Sequence, residues 1–306
     1  MERRLPFALY DAFSAGPFGG ATAGIVADAS DLSPDTMQAV AREVGAPATA
    51  FLRHVSADLI DVRFFSTLSE YGMCGHGSVA LATHLVETGE LPWRGGDRLT
   101  TVLRTRDGDA PLGVQRVGEA SRVMLELRPS SFETATVDRA ALARVLGLAE
   151  TNLRCDLPIE KAVGDFTHLV VPLAALAIVA RIGPDFGAIA DFSRANGVET
   201  VTVFTRETVD GAHTLHCRDF CPAVGTPESP AAGTTNGALS AYLVRHGQIE
   251  PAADGPTVVL AEQGYECGRP SLIRSEVTFG ADGIERLLVG GTARKSMVGE
   301  IFVPQT

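Results

Sequence analysis

The sequence predicts an α+β fold built as two similar halves, and three observations carry that prediction. Segments of strand character outnumber segments of helix character. Two sixteen-residue stretches, beginning at Cys74 and at Ala232, share one plan: a polar glycine-rich start, an apolar helix and a closing glycine. Without a gap, Gly75/Gly233, Ala80/Ala238, Leu81/Leu239, Leu85/Leu243, Val86/Val244 and Gly89/Gly247 coincide. Each stretch also follows a strand carrying Arg and Phe two residues apart, Arg63/Phe65 and Arg218/Phe220.

Taken in order, residues 35–44 read as a helix with Ser33 as its cap and Pro34 at the first position. Residues 59–65 alternate as a strand does, and residues 123–127 follow suit. Residues 138–146 read as a second helix, and residues 200–205 and 257–261 as β-branched strands. The two echoed helices are apolar all round, so both are expected to be buried. The halves are placed at residues 1–129 and 130–293, after the strand ending Leu127-Arg128-Pro129, with residues 294–306 returning to the first half.

Composition narrows the class. At 306 residues the chain suits two domains, and 45% apolar with 21% charged residues is globular, not disordered. A net charge of −11 without a basic patch argues against nucleic acid as a partner. The longest apolar run, residues 169–180, is broken by Pro172 and is shorter than a bilayer span. No apolar signal core follows Glu2-Arg3-Arg4. Five cysteines at irregular spacing predict free thiols in a reducing cytoplasm.

The chemistry is expected at the two helix starts. A buried helix start leaves backbone N–H groups without helical partners and attracts an anion. Two such starts facing one cleft would grip a carboxylate and stabilise charge developing beside it. On this reading Gly75, Gly77 and Ser78 from the first start, with Gly233, Thr234, Thr235 and Asn236 from the second, bind substrate. Cys74 stands at the first start, where the helix dipole would lower its pKa and make it a nucleophile or a proton-transfer base. His76 would donate to the carboxylate or set the charge on the thiol. The plain alternatives are an inert buried cysteine and core helices with ordinary caps. His213, His216, Cys217 and Cys221 have a spacing that superficially suits a metal, but on a strand His216 and Cys217 point to opposite faces. His54, His84, His168 and His246 read as surface or edge residues. No phosphate-binding loop, dinucleotide fingerprint or nucleophile elbow is present, so nothing in the sequence calls for a cofactor or a metal.

These residues resemble the phenazine biosynthesis-like (PhzF-like) family of the diaminopimelate epimerase/proline racemase superfamily. The resemblance runs from Asp11-Ala12-Phe13 and Gly16-Pro17-Phe18-Gly19-Gly20 through Arg42-Glu43, Thr49-Ala50-Phe51, Arg63-Phe64-Phe65-Ser66 and Glu70. Cys74-Gly75-His76 is its most specific piece. It continues through Val171-Pro172-Leu173, Arg218, Phe220, Pro222, Pro227-Glu228-Ser229-Pro230 and Gly233-Thr234-Thr235 to Gln263-Gly264, Gly268-Arg269-Pro270-Ser271 and Val289-Gly290-Gly291. It implies two pseudo-symmetric lobes, each a barrel-like, mostly antiparallel sheet around a central helix, with the active site between them. It also implies a cofactor-independent isomerase or epimerase acting on a small carboxylate, and a homodimer.

The sequence departs from that pattern where proton-transfer groups are expected. Ala48 stands where the phenazine enzyme carries a catalytic glutamate, and Ala232 where two-cysteine racemases carry their second cysteine. Ser229 replaces the aspartate of the Glu-Asp-Pro motif, and Ala21 an asparagine common after the glycine pair. Racemisation needs groups on both faces of one carbon, whereas a double-bond shift needs only one. Cys74 alone therefore points to a double-bond isomerase, and the resemblance to isomerases of antibiotic pathways implies a small unsaturated carboxylate such as a cyclic amino acid as substrate. A proline-type racemase and a binding protein that has lost its acids are the other readings.

Overall fold

The computed structural model describes residues 2–14, 16–280 and 283–304. The first part of the chain forms β1 (Glu2–Ala12), β2 (Ala21–Val26), α1 (Pro34–Val44), β3 (Ala48–Val55), β4 (Leu59–Phe65), β5 (Glu70–Tyr71), α2 (Gly75–Thr88), β6 (Arg98–Thr105), β7 (Gly108–Val117) and β8 (Ala120–Leu127). Then come β9 (Ser131–Thr134), α3 (Arg139–Val145), β10 (Glu160–Val163), β11 (Thr167–Pro172), α4 (Leu176–Ala180), α5 (Phe186–Asn196), β12 (Thr200–Thr205) and β13 (Leu215–Phe220). The last elements are β14 (Glu228–Ser229), α6 (Gly233–Arg245), β15 (Thr257–Gln263), β16 (Ser271–Gly280) and β17 (Gly283–Pro304). The chain divides into two units. One runs to Glu126 and resumes at Gly290, and the other is Leu127–Val289. Residues 305 and 306 of the segment expected to return to the first half lie outside the described residues.

Among the described residues, side-chain caps open three helices, α1 and α3 where the sequence predicts them and α5 where it does not. Ser33 accepts from Thr36 N and opens α1, and Gly45, at φ 69°, closes it with its N–H on Ala41 O. Asp138 and Asp185 cap α3 and α5 in the same way.

In the first unit the strands form a closed barrel of eight. The order is β17, β1, β2, β3, β4, β6, β7 and β8, with β8 returning to β17. Two neighbouring pairs are parallel, β2 with β3 and β4 with β6, and each is joined through a helix, α1 and α2. α2 packs on β1, β2 and β3. Its residues 77–83 are all buried, as expected of a helix that is apolar all round. Closing β8 on β17 demands a glycine. A Cβ on Gly290 would fall on the Val123 carbonyl oxygen and come within 2.8 Å of Met124 Cα.

The second unit repeats the plan in the order β9, β10, β11, β12, β13, β15, β16, β17. Again two pairs are parallel, β11 with β12 across α4 and α5, and β13 with β15 across α6. Residues 235–243 of α6 are all buried. The strands sort their residues with period two. Val170, Phe204 and Cys217 pack with Leu239 and Tyr242 of α6, while Leu169, Val171, Val201 and Val203 pack with Leu142 of α3 and Ile189 of α5.

The Arg–Phe pairs of the two copies are structurally alike. Arg63 meets Glu70 through two charge-assisted bonds of 2.7 and 2.8 Å, and its guanidinium lies 5.2 Å from the Phe65 ring centre. Arg218 meets Glu228 through two bonds of 2.8 Å and lies 4.9 Å from Phe220. Arg218 also donates to the carbonyls of Val179 and Ile182. Its side chain is 5% exposed and that of Glu228 9%, against 23% and 14% in the first pair. Arg218→Met would strand a buried carboxylate and two carbonyls, and is expected to cost about 3 kcal/mol in urea unfolding. Arg63→Met is expected to cost less. Equal losses would show that burial does not separate the two pairs.

Among the described residues no helix is long and apolar enough to cross a membrane.

Candidate active site

α2 begins at Cys74, which holds an extended conformation and makes no side-chain cap bond. Its thiol is therefore free for other partners. Sγ lies 3.5 Å from His76 Nδ1, and the backbone N–H groups of His76 and Gly77 favour its ionised form. Ser78 turns inward instead, donating 2.7 Å to the Cys74 carbonyl. Gly77 is required by space. A Cβ there would stand 2.8 Å from the Phe64 ring and 3.3 Å from the Cys74 sulfur. Gly75 and His76 are half-buried, whereas Gly77 and Ser78 are buried.

The thiol differs from the sequence expectation in its protonation. Burial pushes the Cys74 pKa up to about 12, and the two N–H groups recover only part of that rise. The resting group is a neutral thiol. A helix start visible in sequence carries no measure of how much protein lies over it. Burial also pushes His76 down to about 4, so the imidazole beside the thiol is neutral too.

In the second unit, α6 begins at Ala232, likewise extended. Gly233 and Thr234 are half-buried, and Thr235 and Asn236 are fully buried. The side chains of these last two are taken up within the protein. Asn236 Nδ2 donates to the Ala232 carbonyl at 2.8 Å and to Gln263 Oε1 at 2.7 Å. Gln263 Nε2 donates to the Ser229 carbonyl. Thr235 donates 2.9 Å to Asp219 Oδ2. Asn236 and Thr235 thus brace the helix start, and Gly233 and Thr234 form its open part. The position of Ala48 is buried at the start of β3, opposite Ala23.

Sequence reasoning passed over Asp219 and misplaced His168. Asp219 is 2% exposed and occupies the place on β13 that Phe64 has on β4. Comparing the two copies would have found it, since an acid replaces a ring there. His168, read as a surface residue, is 2% exposed because β11 turns it inward. His246 is also tied in, with Nε2 2.7 Å from Glu160 Oε2, and His84 Nδ1 lies 3.2 Å from the Tyr10 hydroxyl.

The residues with metal-like spacing are divided between faces. Cys217 points into the core, with Sγ 3.6 Å from Asn236 Oδ1. His216 points away from it and is held at both nitrogens, Nδ1 at 2.8 Å from Glu262 Oε2 and Nε2 at 3.0 Å from Glu266 Oε1. Glu262 also accepts from Val209 N, Asp210 N and His213. Burial lowers the His216 pKa, but the two carboxylates outweigh it and the net shift is upward. Burial raises Glu262 and Glu266, and their N–H and histidine partners bring both below the usual carboxylate range. The stability held in His216 is therefore complete below its unfolded pKa near 6.5 and is lost as pH rises through the higher folded value. The carboxylate share is complete above about 4.5 and is lost on acidification. Melting temperatures are expected to fall on both sides of pH 5–6, and Glu262→Gln should remove much of the alkaline slope. A slope unchanged in that variant would locate the effect elsewhere.

Residues 10–299 match the family model described as phenazine biosynthesis-like protein. The chain belongs to that family. An uncharacterized isomerase of Deinococcus radiodurans is 34% identical over 285 residues, covering 92% of this chain and 90% of the relative. The trans-2,3-dihydro-3-hydroxyanthranilate isomerase of Pseudomonas chlororaphis is 28% identical over 292 residues, covering 93% of this chain and 95% of the relative. The crystal structure of the Bacillus anthracis phenazine biosynthesis protein of the PhzF family superposes with a TM-score of 0.88 at 26% identity, covering 98% of this chain and all of that one. This phenazine biosynthesis-like chain is an isomerase by family, with a thiol and a neutral imidazole at the α2 start.

Proposed function

We propose that the protein catalyses a double-bond shift in a small, unsaturated, carboxylate-bearing substrate, with Cys74 as the group that gives and takes the proton. The observation that carries this reading is the Cys74 thiol at an uncapped helix start, 3.5 Å from a neutral His76, with the N–H groups of His76 and Gly77 favouring its ionised form. Because the resting group is a thiol, it acts first as an acid. It donates its proton to the electron-rich end carbon of an enamine or dienol system. The thiolate that results is stabilised by the same two N–H groups, and it removes a proton from the other end of the conjugated system on the same face. The product is the shifted double bond, and the thiol is regenerated without a cofactor. Half-buried Gly75, at the same helix start as Cys74, supplies backbone for the substrate carboxylate.

The named substrate of the Pseudomonas chlororaphis relative is a cyclic, unsaturated carboxylate bearing an amine. We take the same class for this protein and place it in secondary metabolism, acting in the cytoplasm as a homodimer.

The test is proton NMR in D₂O with a panel of cyclic unsaturated amino acids, proline and hydroxyproline. Deuterium uptake with a moved double bond, lost in Cys74→Ala, is the expected result. Exchange with inversion and no bond shift would establish a racemase instead. Ligand binding without exchange would leave a binding protein.

A further inference from the structure

A continuous hydrogen-bonded chain of side chains crosses the second unit beside the start of α6. His168 Nδ1 lies 2.8 Å from Thr200 Oγ1, Thr200 Oγ1 lies 3.2 Å from Thr202 Oγ1, and Thr202 donates 2.8 Å to Asp219 Oδ1. Thr235 donates to the other oxygen of Asp219. All five residues are at most 3% exposed. Strand register builds the chain. His168 stands opposite Thr200, Thr202 stands opposite Asp219, and the two threonines share a face because they are two apart. At its far end His168 lines a small cavity with Arg128, Asp165, Phe166, Thr234 and Leu287.

We propose that His168, Thr200, Thr202 and Asp219 form a two-state proton relay, with Asp219 as the exchangeable acid of the α6 start and the His168 cavity as its outlet. A hydroxyl that donates one way accepts the other, so the chain has a single sense at any moment. With Asp219 ionised, Thr202 donates to it, Thr200 donates to Thr202, and His168 donates from Nδ1–H. With Asp219 protonated, every bond reverses and His168 Nδ1 accepts. Passing from the second state to the first moves one proton from Asp219 Oδ1 to Thr202, one from Thr202 to Thr200 and one from Thr200 to His168 Nδ1. His168, which enters this step with its proton on Nε2, releases that proton to water at the cavity it lines and is left as the neutral Nδ1–H form. Thr235, held on Asp219 Oδ2, transmits the charge state of the acid to the helix start.

The neighbouring ionisable groups are few. Glu199 lies near His168 with its carboxylate on Thr167 N, Cys217 and Cys221 lie near Asp219, and Arg128 and Asp165 line the cavity. Burial lowers the His168 pKa, and Asp219 and Glu199 offset only part of that fall. Its use in turnover rests on the isomerase reading above, in which Asp219 would be a positioning residue acting through Thr235. The relay itself rests on geometry alone.

The two are tested separately. In ¹⁵N-histidine NMR of the full chain at neutral pH, with His168→Gln to assign the signal, His168 is expected as the Nδ1–H tautomer. Thr202→Val leaves Asp219 in place but breaks the chain, freeing Thr200 to donate to Nδ1, and His168 is expected to change to the Nε2–H tautomer. Thr202→Ser should restore the wild-type signal, and Thr200→Val serves as a second break should Thr202→Val fail to fold. A His168 tautomer that is Nε2–H in the wild type, or unchanged in both valine variants, overturns the relay. On the substrate found by the D₂O screen, Thr202→Val and Asp219→Asn are expected to lower kcat about tenfold or more with KM little changed. Full turnover alongside the tautomer change would keep the relay and remove it from catalysis. A screen that finds no substrate would count against the isomerase reading and leave the NMR result to decide the relay.

Discussion

Cys74→Ala is expected to lower turnover by about 10³-fold, the scale on which a single positioned acid–base group contributes. The loss should fall on kcat, because in the proposed reaction the sulfur acts on the reacting carbon while the half-buried backbone of Gly75 is left in place. The direction of the pKa shift makes a second, independent signature. With its pKa raised to about 12, the thiol stays protonated throughout neutral pH, and His76 stays neutral above about 4. The active form is therefore unchanged between pH 6 and 9, and kcat is expected to be flat there. At pH 8 about one thiol in 10⁴ would be ionised, so iodoacetamide should modify exposed Cys155 well before Cys74. Rapid alkylation of Cys74, or an activity limb near pH 8, would mean that the thiol ionises readily and acts first as a base.

Gly290→Ala is expected to cost more than about 4 kcal/mol, at the far end of what one substitution does. The added methyl has no room, because it lands on the Val123 carbonyl where β8 and β17 close the first barrel. Relief needs the two strands to separate, and separation breaks their ladder. Gly299→Ala, on the same strand with open space at its Cβ, is the control and should stay within about 0.5 kcal/mol of wild type. Urea midpoints read both. Equal midpoints would show that the β8–β17 contact has slack.

Local signals reached the sequence intact. Ser33 and Pro34 open α1 as caps do anywhere, and the two echoed helices read as buried because their apolar residues leave no polar face. The repeated Arg–Phe strands were visible too, but the acids that complete them were not read as their partners. Glu70 follows Arg63 by seven residues and Glu228 follows Arg218 by ten, and only strand pairing brings each pair together. Distance along the chain hid more of the second unit. Glu262 meets His216 across 46 residues, and Asp219 meets Thr202 across 17. The two helix starts were legible as positions in the fold, since a glycine-rich entry to an apolar helix is a local pattern. Their protonation was not, because the pKa of Cys74 is decided by what covers it.

The arrangement of β17 has a consequence for how the chain is made. The second unit is continuous from Leu127 to Val289, whereas the first needs residues from both sides of that insertion. On the ribosome, β1 and β8 would emerge long before the strand that joins them, leaving two unpaired edges and the α2 side of the sheet uncovered. The usual order of maturation is then inverted. The later-synthesised unit reaches its native state first, and the earlier one waits, aggregation-prone, for β17 to seal it.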